Sequence, residues 1–150
     1  MSPPEVWGPP IWALFHTLAE KIHEDKYLHL GKELVYHIRR IAAYLPCPDC
    51  SLHATQFFSR LPAERFSTKK ELKHTIFVLH NSVNKRKNKP LSTLAILDTY
   101  KNKNVVDAYN NFIRVYKTRG NMKLLTESFQ RQLIVSGFKR WLLKNIQAFR

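Results

Sequence analysis

Apolar residues recur along this chain at helical spacing, and nowhere do they alternate as a half-buried strand requires. That periodicity predicts an all-α protein. Pro9-Pro10 set a helix start, after which Ile11, Leu14, Phe15 and Leu18 repeat along one face. A second helix is expected from about Leu28 to Leu45, with Leu30, Leu34, Ile38, Ile41 and Leu45 on one stripe and Pro46 ending it. A third, shorter helix begins at Cys47-Pro48-Asp49-Cys50 and carries Leu52, Phe57 and Phe58. Thr68 and Glu71 have capping-box spacing and open a fourth, with Leu72, Ile76, Leu79 and Val83 inward, running out near Asn88. Four helices to about residue 90 make a bundle. Beyond Pro90, stripes at Val105–Tyr116, Leu125–Leu133 and Phe138–Phe149 predict two or three more helices, with Gly120-Asn121 breaking the run. The expected domains are therefore a bundle over residues 1–90 and a helical extension over 91–150, packed on the bundle or at a subunit interface.

The net charge of +14 favours polyanions as partners: nucleic acid, acidic membranes, acidic proteins or a phosphorylated cofactor. The basic residues are spread out, with one dense run at Lys85, Arg86, Lys87 and Lys89, and a solvated helical surface accounts for most of them. No run reaches the roughly 18 apolar residues of a membrane helix. Met-Ser-Pro-Pro-Glu lacks the basic and apolar regions of a secretory signal, so none is expected.

Three groups of residues can carry chemistry. The two cysteines of the chain stand at CxxC spacing, too few for a stapled secreted domain or an all-cysteine zinc site. They suit a redox pair, half of a zinc site completed by His53 and another histidine, or a chance neighbourhood. Pro48 fits the first helical turn, which puts Cys47 at a helix N-terminus where the dipole favours a thiolate. In His80-Asn81-Ser82-Val83-Asn84-Lys85, with Lys89-Pro90 behind, an imidazole, two amides and an amine share a helical face. That face suits a base, a ribose and phosphates, or is an exposed polar helix end. In Trp7-Gly8-Pro9-Pro10-Ile11-Trp12-Ala13-Leu14-Phe15-His16, Trp12 and His16 lie four apart. They either flank a flat ring or belong to the core.

WGxxxWxxxH, a CxxC some thirty residues on, and HNxVN followed by KP, in this order, resemble the Erv/ALR family of FAD-linked sulfhydryl oxidases. The match spans roughly residues 7 to 90, and the short basic chain is most similar to members from large DNA viruses. The resemblance implies a four-helix bundle around FAD, with Cys47 as the substrate-facing sulfur and Cys50 as the one that attacks the flavin. It implies cofactor contacts from Gly8, Trp12 and His16, from His80, Asn81, Val83, Asn84, Lys85 and Lys89, and, as weaker matches, from Tyr44 and His53. It further implies protein thiols as substrates, oxygen as acceptor, a homodimer, no metal, and the cytoplasm of an infected cell or the virion as the location.

The chain departs from the family in one respect. Cellular members carry a structural disulfide and a shuttle cysteine pair, and with two cysteines neither can form here. Cys47 must then meet its substrate directly or through a thioredoxin-like partner. A basic helical nucleic-acid-binding protein is the rival reading; it explains the charge and leaves the CxxC and HNxVN unexplained.

Overall fold

A computed structural model describes residues 4–116 and 122–150. Six α-helices account for most of the described residues: α1 (Pro4–Lys21), α2 (Glu24–Ala42), α3 (Pro48–Ser59), α4 (Lys69–Arg86), α5 (Val105–Tyr116) and α6 (Met122–Lys144). Short 3-10 turns cover Ala63–Phe66, Leu94–Asn102 and Ile146–Phe149, and the described residues contain no strand.

α1 is the hub. Trp7, Ile11, Leu14, Phe15, His16, Thr17, Leu18 and Ala19 are all buried, which covers almost its full circumference. A helix apolar on every side must be packed on every side. α4 lies against it on one flank and α5 on another, and the 94–102 segment and the C-terminal turn also touch it. α2 in turn packs between α3 and α6. The C-terminus is tied back where His23 N–H donates to the Ala148 carbonyl at 2.8 Å. Tyr116, fully buried, donates its hydroxyl to the Ile41 carbonyl at 3.1 Å and joins the end of α5 to the end of α2.

Local chemistry fixes the ends of the helices. Thr68 caps α4 by accepting from Glu71 N–H at 3.1 Å, as the capping-box spacing predicts. Cys47 is the N-cap of α3, with Pro48 in the first turn. Ser51 Oγ accepts from Leu45 N–H at 2.8 Å, which holds the 43–47 turn against the start of α3. On α2 the ring of Tyr27 lies over Gly31, where any Cβ would come within 2.7 Å of it, and its hydroxyl reaches the Phe66 carbonyl at 2.6 Å.

Several expectations need correction. α1 begins at Pro4, so Pro9 and Pro10 lie inside it. Their missing N–H groups would bond to Glu5 and Val6, in the first turn and a half, so most of the helix keeps its bonds. α2 runs from Glu24 to Ala42, four residues earlier at its start, because Glu24 and Asp25 favour a helix N-terminus. It stops before Leu45, the residue ahead of Pro46, which avoids helical geometry. α6 is one continuous helix, and Phe129 (58% exposed) and Leu133 (46% exposed) sit on its outer face. Its buried face runs through Ser128, Arg131, Ile134, Val135, Phe138, Trp141 and Leu142. The helix is apolar on both faces, so periodicity alone chose the wrong one. The Leu125 side chain and the Gly120-Asn121 break lie outside the described residues.

Phe112 is fully buried and stacks on Tyr116 at 4.8 Å. Phe112→Ala is therefore expected to cost about 3–5 kcal/mol in urea denaturation. Truncation after Lys101, which uncovers the flank of α1 beneath α5, is expected to give an aggregating or lower-melting protein. A soluble truncated chain of unchanged melting temperature would contradict this packing.

Candidate functional site

Two adjoining cavities lie where α1, α3 and α4 meet. The smaller, about 50 Å³, is walled chiefly by apolar side chains and includes Trp7, Phe15, Leu45, Cys50, Ala54 and Leu79. The larger, about 400 Å³, opens between the start of α1 and the end of α4, where Glu5, His80, Asn84, Lys87, Lys89 and Tyr100 line it. Gly8, Trp12, Val83 and Lys87 belong to both, so the two form one slot that runs from a sulfur atom to a cationic mouth.

α3 separates the two cysteines. Cys47 and Cys50 form a disulfide with Cα atoms 5.3 Å apart. Cys50 faces the slot; Cys47 lines neither cavity and stays partly exposed at the helix start. The Cys47 sulfur accepts from Cys50 N–H at 3.3 Å, a cap contact that also stabilises negative charge on that sulfur.

The mouth is shaped by how α4 ends. Asn88 adopts the left-handed conformation (φ 57°), Lys89 N–H bonds the Asn84 carbonyl at 2.8 Å, and Asn88 N–H bonds the Lys85 carbonyl at 3.2 Å. These are the bonds of a Schellman stop, with Pro90 just beyond it. The Asn81 amide then holds the returning chain, donating to the Ser92 carbonyl and accepting from Ser92 N–H, both at 2.9 Å. Asn84 donates to Asn81 Oδ1 at 3.4 Å.

Four aromatic rings stack across the helices. His80 lies flat on Trp12, with centroids 4.0 Å apart and planes 7° apart. His16 stacks on Tyr100 at 4.6 Å, and its Nε2 is 3.0 Å from His80 Nδ1, so one imidazole donates and the other accepts. Burial pushes the His16 pKa down to about 3, aided by His80, and burial with help from Lys89 lowers His80 to about 4. Both rings are neutral at pH 7. Burial, then the neighbouring Lys89, also lowers Lys87 from its usual value.

Of the residues singled out in the sequence, the slot brings together Gly8, Trp12, Cys50, His80, Val83, Asn84 and Lys89. His16 stands behind His80, and Asn81 is engaged with Ser92. Lys85 is exposed and lines neither cavity, and Tyr44 lies on the exposed turn before Cys47. His53 lines neither cavity as well; it meets Ser82 Oγ at 3.1 Å and links α3 to α4. Sequence reasoning did not single out other lining residues, among them Glu5, Trp7, Lys87 and Tyr100. Lys87 is visible only as one member of a charge run, Trp7 only as the residue before Gly8, and Tyr100 falls on no apolar stripe. Among the described residues no group of three or more His, Cys, Asp or Glu could hold a metal ion, and no helix is long and apolar enough to cross a membrane.

An all-α protein that sets a closed CxxC disulfide on one wall of a ligand-sized slot is a narrow class. Sequence comparison narrows it to one family: the Erv1/Alr family model matches residues 9–104, and the chain belongs to that family. It is 30% identical over 100 residues to the 096R protein of Invertebrate iridescent virus 3, provisionally named an FAD-linked sulfhydryl oxidase, covering 65% of this chain and 68% of that one. It is 28% identical over 85 residues to an FAD-linked sulfhydryl oxidase of African swine fever virus, 57% of this chain and 71% of the relative. No solved structure matches the chain.

The lowered histidines set a pH dependence. Their folded values lie below the ordinary 6.5, so the unfolded chain takes up protons that the folded one refuses as pH falls. The stability they contribute is complete above about pH 6.5 and declines between there and about pH 4. The urea midpoint of the protein should fall over that range, and the fall should be shallower in His16→Gln. An equal slope in both proteins would contradict the assignment.

Proposed function

We propose that this protein is an FAD-dependent thiol oxidase that makes disulfides in protein substrates and passes the electrons to oxygen. The observation that carries the reading is the division of labour on α3: Cys50 faces the slot, while Cys47 stands outside it. The residues of the slot fit the cofactor. A Cβ built on Gly8 meets nothing within 4 Å, so the helix leaves an open cradle there. The Trp7 indole N–H is buried beside it with no hydrogen-bond partner among the described residues. The apolar lining beside Cys50 has the character a flat ring needs, and Lys87, Lys89 and Asn84 at the mouth supply donors for a pyrophosphate and a sugar. The names of the viral relatives support the same cofactor.

The chain's own residues then account for the thiol chemistry. A substrate thiolate attacks the Cys47 sulfur; a new S–S bond forms, the Cys47–Cys50 bond breaks, and Cys50 leaves as a thiolate facing the slot. A second substrate thiol attacks the mixed disulfide, which completes the substrate disulfide and releases Cys47. The N-terminus of α3 and the Cys50 N–H favour that departure, because they stabilise the Cys47 thiolate. FAD held along the slot by Gly8, Trp12, Asn84, Lys87 and Lys89 would supply a two-electron acceptor for the dithiol, with oxygen and two protons as the final acceptors, giving hydrogen peroxide. Residues 1–90 supply the cysteines and most of the slot, and the extension supplies Tyr100. With no third cysteine to relay electrons, the substrate is a protein thiol, or a thioredoxin-like carrier, that reaches Cys47 itself.

Purified protein should be yellow and should consume oxygen with a dithiol. Cys47→Ser and Cys50→Ser should each abolish that consumption and retain flavin; substantial turnover in both would overturn the redox assignment. Gly8→Leu should lower the ratio of flavin to protein absorbance with no loss of melting temperature in the flavin-free protein, since leucine suits a helix better than glycine. Full flavin content in Gly8→Leu would place the cofactor elsewhere.

A further inference from the structure

A second concavity, about 440 Å³, runs between α2 and α3 and shares no lining residue with the slot. Lys32, Tyr36, Arg39 and Arg40 line its α2 wall, and Thr55 and Phe58 its α3 wall. The α2 residues fall at helical spacing on one face from Lys32 to Ala43, roughly 16 Å at 1.5 Å per residue. That is the length of about five residues of extended chain.

Its place on α3 links it to the cysteine that lines neither cavity of the slot. Thr55 and Phe58 line the groove from the helix that Cys47 caps. Cys50 and Ala54 of the same helix line the slot instead. α2 and α3 are joined by the short 43–47 turn, so Ala43, which lines the groove, stands only four residues of chain before Cys47.

The walls have a definite charge. Lys32 and Arg39 are exposed, and among the described residues no carboxylate forms an ion pair with Lys32, Arg39 or Arg40. Both guanidinium groups are held over aromatic rings, Arg39 over Phe58 and Arg40 over Tyr36, each at 5.9 Å. An arginine so placed is oriented before a ligand arrives and still offers N–H donors to a carboxylate. Between the cations the floor is apolar, with Val35 and Phe58 buried. A phosphate backbone would want a continuous cationic track, whereas alternating cations and apolar floor suit a peptide with acidic and apolar side chains.

We propose that this groove docks an extended acidic segment of the thiol substrate, or of its carrier, and so delivers the adjacent cysteine to Cys47. The delivery rests on the oxidase reading above; the peptide contact does not. Docking changes how often a thiolate meets Cys47, and the exchange itself is unchanged: the thiolate bonds to Cys47 and Cys50 leaves.

The test uses the full-length flavoprotein and three substrates: dithiothreitol, a short CxxC peptide flanked by glutamates, and its twin with glutamines. The glutamate peptide should show a KM about three- to tenfold lower, as expected of two or three exposed ion pairs, with equal kcat and a preference that disappears in high salt. The variant Lys32→Glu/Arg39→Glu, both exposed positions, should lose that preference, favour a lysine-flanked peptide and oxidise dithiothreitol at the wild-type rate. Equal KM values for the twin peptides, or an equal loss with dithiothreitol in the variant, would overturn the proposal. Anisotropy of a labelled glutamate peptide reads the groove without turnover. If dithiothreitol is not oxidised, the oxidase reading fails, while several-fold tighter peptide binding that the variant loses still upholds the acidic contact. A duplex oligonucleotide that binds more tightly than the glutamate peptide, and is lost in the variant, would make the groove a nucleic-acid site and reject the proposal.

Discussion

The burial of α1 on all sides is the constraint from which the rest of the structure follows. The helix carries Trp7, Gly8, Trp12 and His16, and every residue from Leu14 to Ala19, which spans its whole circumference, is buried. The first four helices cannot enclose it, because α2, α3 and α4 leave the flank that α5 fills. The last third of the chain therefore completes the core that holds the slot. Tyr116 on the Ile41 carbonyl and the C-terminal turn on His23 fasten this cover at both ends.

α3 performs the second task, which is to give two sulfur atoms three residues apart different surroundings. Cys50 lines the slot, whereas Cys47, the extended N-cap of the helix, lines neither of its cavities. The turn before it is held by Ser51 on Leu45, so the difference rests on a fixed start and not on a mobile loop. The Schellman stop at Asn88 and the Asn81–Ser92 pair do the same for the mouth, because they set where Lys87 and Lys89 stand.

Much of this was legible in the sequence where local chemistry decides. The Thr68 cap, Pro48 in the first turn of α3 and the inward residues of α4 and α5 are fixed by short-range rules, and the structure follows them. Signals failed where two local answers were equally good. α6 is apolar on both faces, so Phe129 and Leu133 looked as buried as Phe138. Pro9-Pro10 read as a start because the helix turn ahead of them has little periodic signal. The HNxVN motif lies on a helix that lines the slot, but only the fold shows that Asn81 holds Ser92 and that Lys87, not Lys85, lines the cavities. Tyr100 comes from a 3-10 segment without periodicity, and nothing local announces it.

The central claim is the asymmetry of the two sulfurs, and the absorption spectra of the single cysteine variants test it most directly. In Cys47→Ser, Cys50 is a free thiol facing the slot, and its thiolate can donate charge to a bound oxidised flavin. The account predicts a long-wavelength absorption band in that variant that strengthens as pH rises. It predicts an ordinary bound-flavin spectrum in Cys50→Ser, whose remaining sulfur lies outside the slot. A band in Cys50→Ser and none in Cys47→Ser would contradict the account and reverse the two roles.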